Sequence, residues 1–226
     1  QLATKAWATF VEIEEAGGMV KALSSGLVAD KIAGVSTERA KRLATRKLPL
    51  TGVSMFPKAD EEPVKAKPRP AAPARAGLAA HRDAEVFEAL RDRAAAAAQK
   101  PEVFLACLGA RRDFGGRETF TAALLGVGGI ATPSSEGGTP EEIAAKASAA
   151  GAKFVILCSS AKVYAAEAVP VARALKAAGV GTVYIAGRKK ETAAEDVDDV
   201  IDGEVFDGMD VVAFLGEAMD RIGVAK

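Results

Sequence analysis

Three short apolar runs, Val103–Leu108, Lys153–Cys158 and Thr182–Ala186, are separated by segments whose apolar residues recur at helical spacing. Strands that are apolar along their whole length suit a sheet covered on both faces, and strand–helix alternation supplies the crossovers that parallel pairing requires. The spacing predicts helices over Ala84–Ala98 and Glu118–Val127, then a short strand over Gly129–Thr132. Thr139-Pro140-Glu141-Glu142 opens the next helix, with Thr as N-cap, Pro at the first helical position and Glu closing a capping box. That helix runs to Ala150, and another over Tyr164–Ala178, bent at Pro170, follows the third strand. Val200-Ile201 reads as a weak fifth strand before Asp210 caps a last helix, Val211–Ile222. The expected class is α/β, with a flavodoxin-like five-stranded parallel sheet in the region 81–226.

The first 57 residues carry helical apolar faces but no strand pattern on which to bury them. Leu2, Ala6, Phe10 and Ile13 share one face and stop at Gly17-Gly18. Short helices are expected over Met19–Leu23 and Leu27–Ala33, and Ser36-Thr37-Glu38-Arg39 reads as the cap of a fourth running through Leu43. Leu48–Val53 reads as extended. This section looks like the tail end of something larger. Residues 58–80 change texture: Pro63, Pro68, Pro70 and Pro73 among Ala, Lys and Arg predict a linker of extended course.

Charge narrows the classes of partner. Thirty basic and thirty acidic side chains cancel, so no overall field favours nucleic acid or an anionic membrane. No run reaches the roughly 18 apolar residues of a spanning helix, and the chain reads as cytoplasmic. Cys107 and Cys158 each fall in an apolar run and read as buried free thiols.

The turn after the first strand of such a sheet is where ligands sit, because strand order reverses there. Here it reads Gly109-Ala110-Arg111-Arg112-Asp113-Phe114-Gly115-Gly116-Arg117. It lacks the lysine and hydroxyl residue of a phosphate-binding P-loop, and Gly126-x-Gly128-x-x-Ala131 leads into a strand instead of following one. Arg111, Arg112 and Arg117 read either as an anion-holding group at a helix N-terminus or as solvated charges. The nine acids between Glu191 and Asp210 have no calcium-loop spacing and read as a solvated rim. His81, the only histidine, lies outside the strand-end crevice.

Two blocks resemble a known family. Residues 2–19 and 46–57, the latter ending Leu50-Thr51-Gly52-Val53-Ser54-Met55-Phe56-Pro57, look like the last part of the acyl-CoA mutase barrel of methylmalonyl-CoA mutases. Residues 101–226 resemble the cobalamin-binding domain that follows it. The resemblance implies a TIM-type barrel tail over 1–57, the linker, and a cobalamin-binding-like domain over 81–226. In catalytic members this turn reads Asp-x-His-x-x-Gly, and the His coordinates cobalt. Aligned on Gly115, this chain places Ala110 at the Asp and Arg112 at the His, and a guanidinium has no lone pair to give a metal. The family's Ser-x-Leu becomes Cys158-Ser159-Ser160, and its Gly-Gly becomes Ala186-Gly187.

Ala110, Arg112, Gly115, Ser159, Ser160 and Gly187 are therefore expected to mark a degenerate pocket with no catalytic or metal-binding residue. The resemblance implies a non-catalytic small subunit that binds no cofactor itself. It would pair as a heterodimer with a large catalytic subunit holding adenosylcobalamin and interconverting methylmalonyl-CoA and succinyl-CoA. The alternatives are a corrinoid-binding mutase domain without a protein ligand to cobalt, or a regulatory module binding a CoA-like anion.

Overall fold

A computed structural model describes residues 1–58 and 80–225. All but residues 58 and 80 of the expected linker lie outside them. Contacts divide the described chain into two units, 1–42 with 80–81 and 43–58 with 82–225.

The first unit is helical: α1 (Leu2–Glu15), α2 (Met19–Ser24) and most of α3 (Leu27–Ala44). The break expected at Ser36-Thr37 is absent, and one helix runs through it. Thr37 Oγ1 donates back to the Ala33 carbonyl (2.9 Å), which satisfies the hydroxyl within the helix and removes its value as a cap. No residue of α1 is buried, and Trp7 stacks on Phe10 with ring centroids 5.3 Å apart.

The second unit is built on a parallel sheet of four strands in the order β1-β2-β3-β4: Phe104–Cys107, Phe154–Cys158, Thr182–Ala186 and Gly203–Val205. Five strands were expected. The segment around 131–135 does run beside β1, where the Val103 N–H donates to Ala131 O and the Leu105 N–H to Pro133 O. It makes only isolated bridges, and Pro133 has no N–H to extend the ladder. The last strand lies at Gly203–Val205 instead of Val200-Ile201. Its glycine faces Tyr184 so closely that a Cβ there would meet the ring at 2.4 Å.

Helices α4 (Glu85–Ala95), α5 (Arg111–Val127) and α8 (Val211–Ile222) cover one face, and α6 (Pro140–Ala149) and α7 (Ala161–Ala177) the other. The period of two along β2 divides the core. Phe154, Ile156 and Cys158 join Phe87, Phe114 and Phe214, while Val155 and Leu157 join Ile143, Tyr164 and Leu175.

Leu50–Met55 form a closed turn, which cuts short the extended run expected over Leu48–Val53. The Leu50 carbonyl accepts from the N–H groups of Val53, Ser54 and Met55, while the Leu50 N–H donates to the buried Ser54 Oγ. Leu50 and Val53 pack on the core, and two arginines hold the turn. Arg46 lies 5.4 Å from the Phe120 ring centroid and 3.2 Å from Asp207, and Arg91 donates to the carbonyls of Val53 (2.9 Å) and Val127 (3.0 Å). Charged hydrogen bonds to part-buried carbonyls contribute about 1.5–3 kcal/mol. Arg91→Ala is accordingly expected to lower unfolding stability by about 2 kcal/mol with an unchanged denaturant slope, as read by urea titration.

Candidate functional site

The candidate site is the crevice at the carboxyl ends of β1, β2 and β3. After β1 the chain turns at Gly109, whose φ of 76° suits glycine, and enters α5 at Arg111. A loop was expected through Arg117, with the helix opening at Glu118; the structure makes this whole stretch helical. Three side chains explain the earlier start. The Asp113 carboxylate accepts from the Ala110 N–H (3.0 Å), the buried Phe114 anchors the first turn, and Arg111 pairs with Glu118 (2.5 Å). These interactions outweigh two mid-helix glycines that each cost about 1 kcal/mol. Ala110 is thus an exposed N-cap, Arg112 an exposed residue of the first turn, and Gly115 a helical residue at which a methyl group would make only ordinary contacts.

The opposite wall is closely bonded. Ser159 is buried and its Oγ donates to Leu108 O (2.8 Å), tying the turn after β2 to the end of β1. Ser160 caps α7 without a side-chain bond. Between the ends of β2 and β3 lies the ring of Tyr164, only 1% exposed. Its hydroxyl accepts from the Ser159 N–H (2.8 Å) and stands 2.8 Å from Leu157 O and 2.9 Å from Ala186 O, so its proton has an acceptor on either strand. Burial, with the Cys158 thiol beside it, pushes the Tyr164 phenol well above its ordinary pKa and keeps it neutral.

Arg117 covers this ring, its guanidinium carbon 5.0 Å from the centroid. It donates to Ala186 O (2.7 Å) and pairs with Glu191 (2.6 Å). Partial burial raises the Glu191 pKa, but Arg117 and the Arg188 N–H together bring it below the usual value, so the carboxylate stays charged. Gly187 sits against this pair with φ 132°. On the far side, the loop carrying Gly137 presses on the turn after β1, where a Cβ at Gly137 would lie 2.6 Å from Gly109 O.

Arg112 offers no electron pair, and among the described residues no group of three or more His, Cys, Asp or Glu side chains is placed to hold a metal ion. Tyr164, Arg117 and Ser159 all bond to backbone carbonyls at the strand ends. The structure brings Ser159 and Gly187 to this crevice, while Arg112 and Gly115 lie along α5.

Arg111, Arg112 and Arg117 do not converge, since Arg111 turns to Glu118 and Arg117 to Glu191. The acidic run is not a merely solvated rim. Asp196 pairs with Arg173, Asp198 with Lys189, Asp202 with Lys176 and Glu204 with Arg188. Both cysteines are free and buried, and His81 is exposed. Tyr164 and Glu191 were not legible as site residues. The available signal was a tyrosine five positions after Ser159 in a chain with only two tyrosines.

The sequence model of the methylmalonyl-CoA mutase family matches residues 1–114, just over half of the chain. The chain belongs to the methylmalonyl-CoA mutase family. Within that family it is similar to small subunits. It is 51% identical over 227 residues to the methylmalonyl-CoA mutase small subunit of Propionibacterium freudenreichii subsp. shermanii, covering 100% of this chain and 36% of that protein. It is 46% identical over 230 residues to that of Streptomyces virginiae, covering 100% of this chain and 36% of the relative. A probable methylmalonyl-CoA mutase small subunit of Mycobacterium tuberculosis (strain ATCC 25618 / H37Rv) is 34% identical over 232 residues, covering 99% of this chain and 35% of its own length. The chain thus spans about a third of the length of these mutase relatives. Among the described residues no helix is long and apolar enough to cross a membrane.

Proposed function

We propose that this chain is a non-catalytic segment of a mutase small subunit, supporting the cobalamin-dependent large subunit that interconverts methylmalonyl-CoA and succinyl-CoA. Residues 1–57 are read as the end of the acyl-CoA mutase barrel, 58–80 as a linker and 81–226 as a degenerate cobalamin-binding-like domain, in a cytoplasmic heterodimer. The observation that carries this reading is the first turn of α5. Where a catalytic chain needs a side chain able to give cobalt an electron pair, Arg112 presents a permanent cation, and Ala110 cannot accept a hydrogen bond to orient any ligand. The exposed α1 face supports a role in assembly. Trp7 is 66% and Phe10 50% exposed, and contiguous apolar surface of this kind marks an interaction site.

The role assigned to the crevice is tested by equilibrium dialysis of the chain against adenosylcobalamin, followed by absorbance spectroscopy. No corrinoid is expected to remain with the protein after exchange into cofactor-free buffer. Retention of one corrinoid per chain would overturn the reading.

A further inference from the structure

We propose that the crevice carries a built-in occupant, the Arg117–Glu191 pair laid over Tyr164, and that Gly187 is glycine because this occupant takes the space of its side chain. This deepens the non-catalytic reading and rests on it. Three observations converge. First, Arg117 spans from α5 to the turn after β3, donating to Ala186 O at 2.7 Å and to Glu191 at 2.6 Å, so it bonds both the strand end and the loop beyond it. Second, a Cβ on Gly187 would stand 2.2 Å from Arg117 Nη1 and 2.6 Å from Glu191 Oε1. Third, neither side can easily move away. The Gly187 N–H is fixed to Val205 O (2.7 Å), the Glu191 carboxylate also accepts from the Arg188 N–H (2.8 Å), and the guanidinium rests on the buried Tyr164 ring.

A glycine facing a strand-end crevice ordinarily signals that a ligand or another backbone approaches closely. Here the approaching group belongs to the chain itself. The occupant holds the turn from Gly187 to Thr192 down on the sheet.

The inference predicts coupling between two positions 70 residues apart in sequence. In the full chain, Gly187→Ala is expected to lower the folding equilibrium constant by at least about tenfold more when Arg117 is present than in an Arg117→Ala background, because only the former combines backbone strain with a steric clash. Urea unfolding of wild type, both single variants and the double variant reads that factor. Equal factors in the two backgrounds overturn the occupant, without touching the assignment built on Ala110 and Arg112, which only corrinoid retention overturns. Should Gly187→Ala prove too unstable to purify, hydrogen exchange supplies the same test. Arg117→Ala is expected to speed exchange at the Gly187 and Glu191 amides by about tenfold or more while the amides of β1 and β2 keep their protection. Unchanged exchange at Gly187 and Glu191 overturns the inference.

Discussion

Raising the pH from 9 to 12 is expected to unfold the α/β unit cooperatively. Four neutral groups are buried in it: the thiols of Cys107 and Cys158 and the phenols of Tyr164 and Tyr184. Burial is the main cause in each case and pushes Cys158 and Tyr184 up to about 12, with Cys107 and Tyr164 also raised. Neighbouring negative charge adds to it: Tyr184 donates to the Glu217 carboxylate (2.8 Å), and Glu118 lies near both thiols. In the unfolded chain thiols ionise near pH ~8.5 and phenols near ~10. A group whose pKa is raised on folding contributes fully below its unfolded value, and that contribution is lost as pH climbs toward the folded one. The loss therefore begins near pH ~9 with the thiols and steepens above ~10 as the phenols join. Each group removes about 1.4 kcal/mol per pH unit, so four together remove about 5 kcal/mol per unit near pH ~11, against a total stability of about 5–15 kcal/mol. The chain has only two tyrosines, both in this unit, so phenolate absorbance reports on it directly. Phenolate signal and loss of circular dichroism should rise together and sharply. A gradual phenol titration centred near pH ~10 with the dichroism intact would contradict the burial argument. The acid side has the opposite sign. Glu191 and Glu217 are held below their usual range, so their contributions persist at neutral pH and fade as pH falls through the folded values.

What could be read from the sequence and what could not divide along the range of the interactions. The capping box at Thr139 was legible because its parts lie within one turn: Thr139 Oγ1 accepts from the Glu142 N–H, and Glu142 Oε2 accepts from the Thr139 N–H. The cores of β1, β2 and β3 were legible because strands buried on both faces are apolar throughout. The start of α5 was not, because Gly115 and Gly116 argue locally for a loop, whereas the burial of Phe114 against the sheet argues for helix and prevails. The residues expected to form a helix through Leu43 are helical, but the separate start at Ser36 is absent for a related reason, since a hydroxyl that can cap can also bond back to the preceding turn. At the site, the permanent cation of Arg112 could be read from the sequence alone. The closing of the crevice could not, because Tyr164 meets Ala186 and Arg117 meets Glu191 only after the sheet has assembled.

Tyr164→Ala is expected to cost about 3–5 kcal/mol, the range for removing a large aromatic side chain from a packed core. The ring belongs to the same buried cluster as Leu157 and Ile185 of the sheet and Ile143 of α6, and its removal would also take away the surface on which Arg117 rests. Tyr164→Phe separates packing from polarity. It keeps the ring but leaves the Ser159 N–H buried without its oxygen, for which about 1–3 kcal/mol is expected. The Leu157 carbonyl loses a possible donor in the same change, while Ala186 O keeps its bond from Arg117. Urea unfolding of the two variants tests the order: alanine should cost more than phenylalanine, and both more than nothing. A phenylalanine variant as stable as wild type would make the hydroxyl incidental, and the crevice would then be closed by apolar packing alone. If both variants lose stability in the expected order, the hydroxyl fastens the ends of β2 and β3 to each other while the ring fills the space between them.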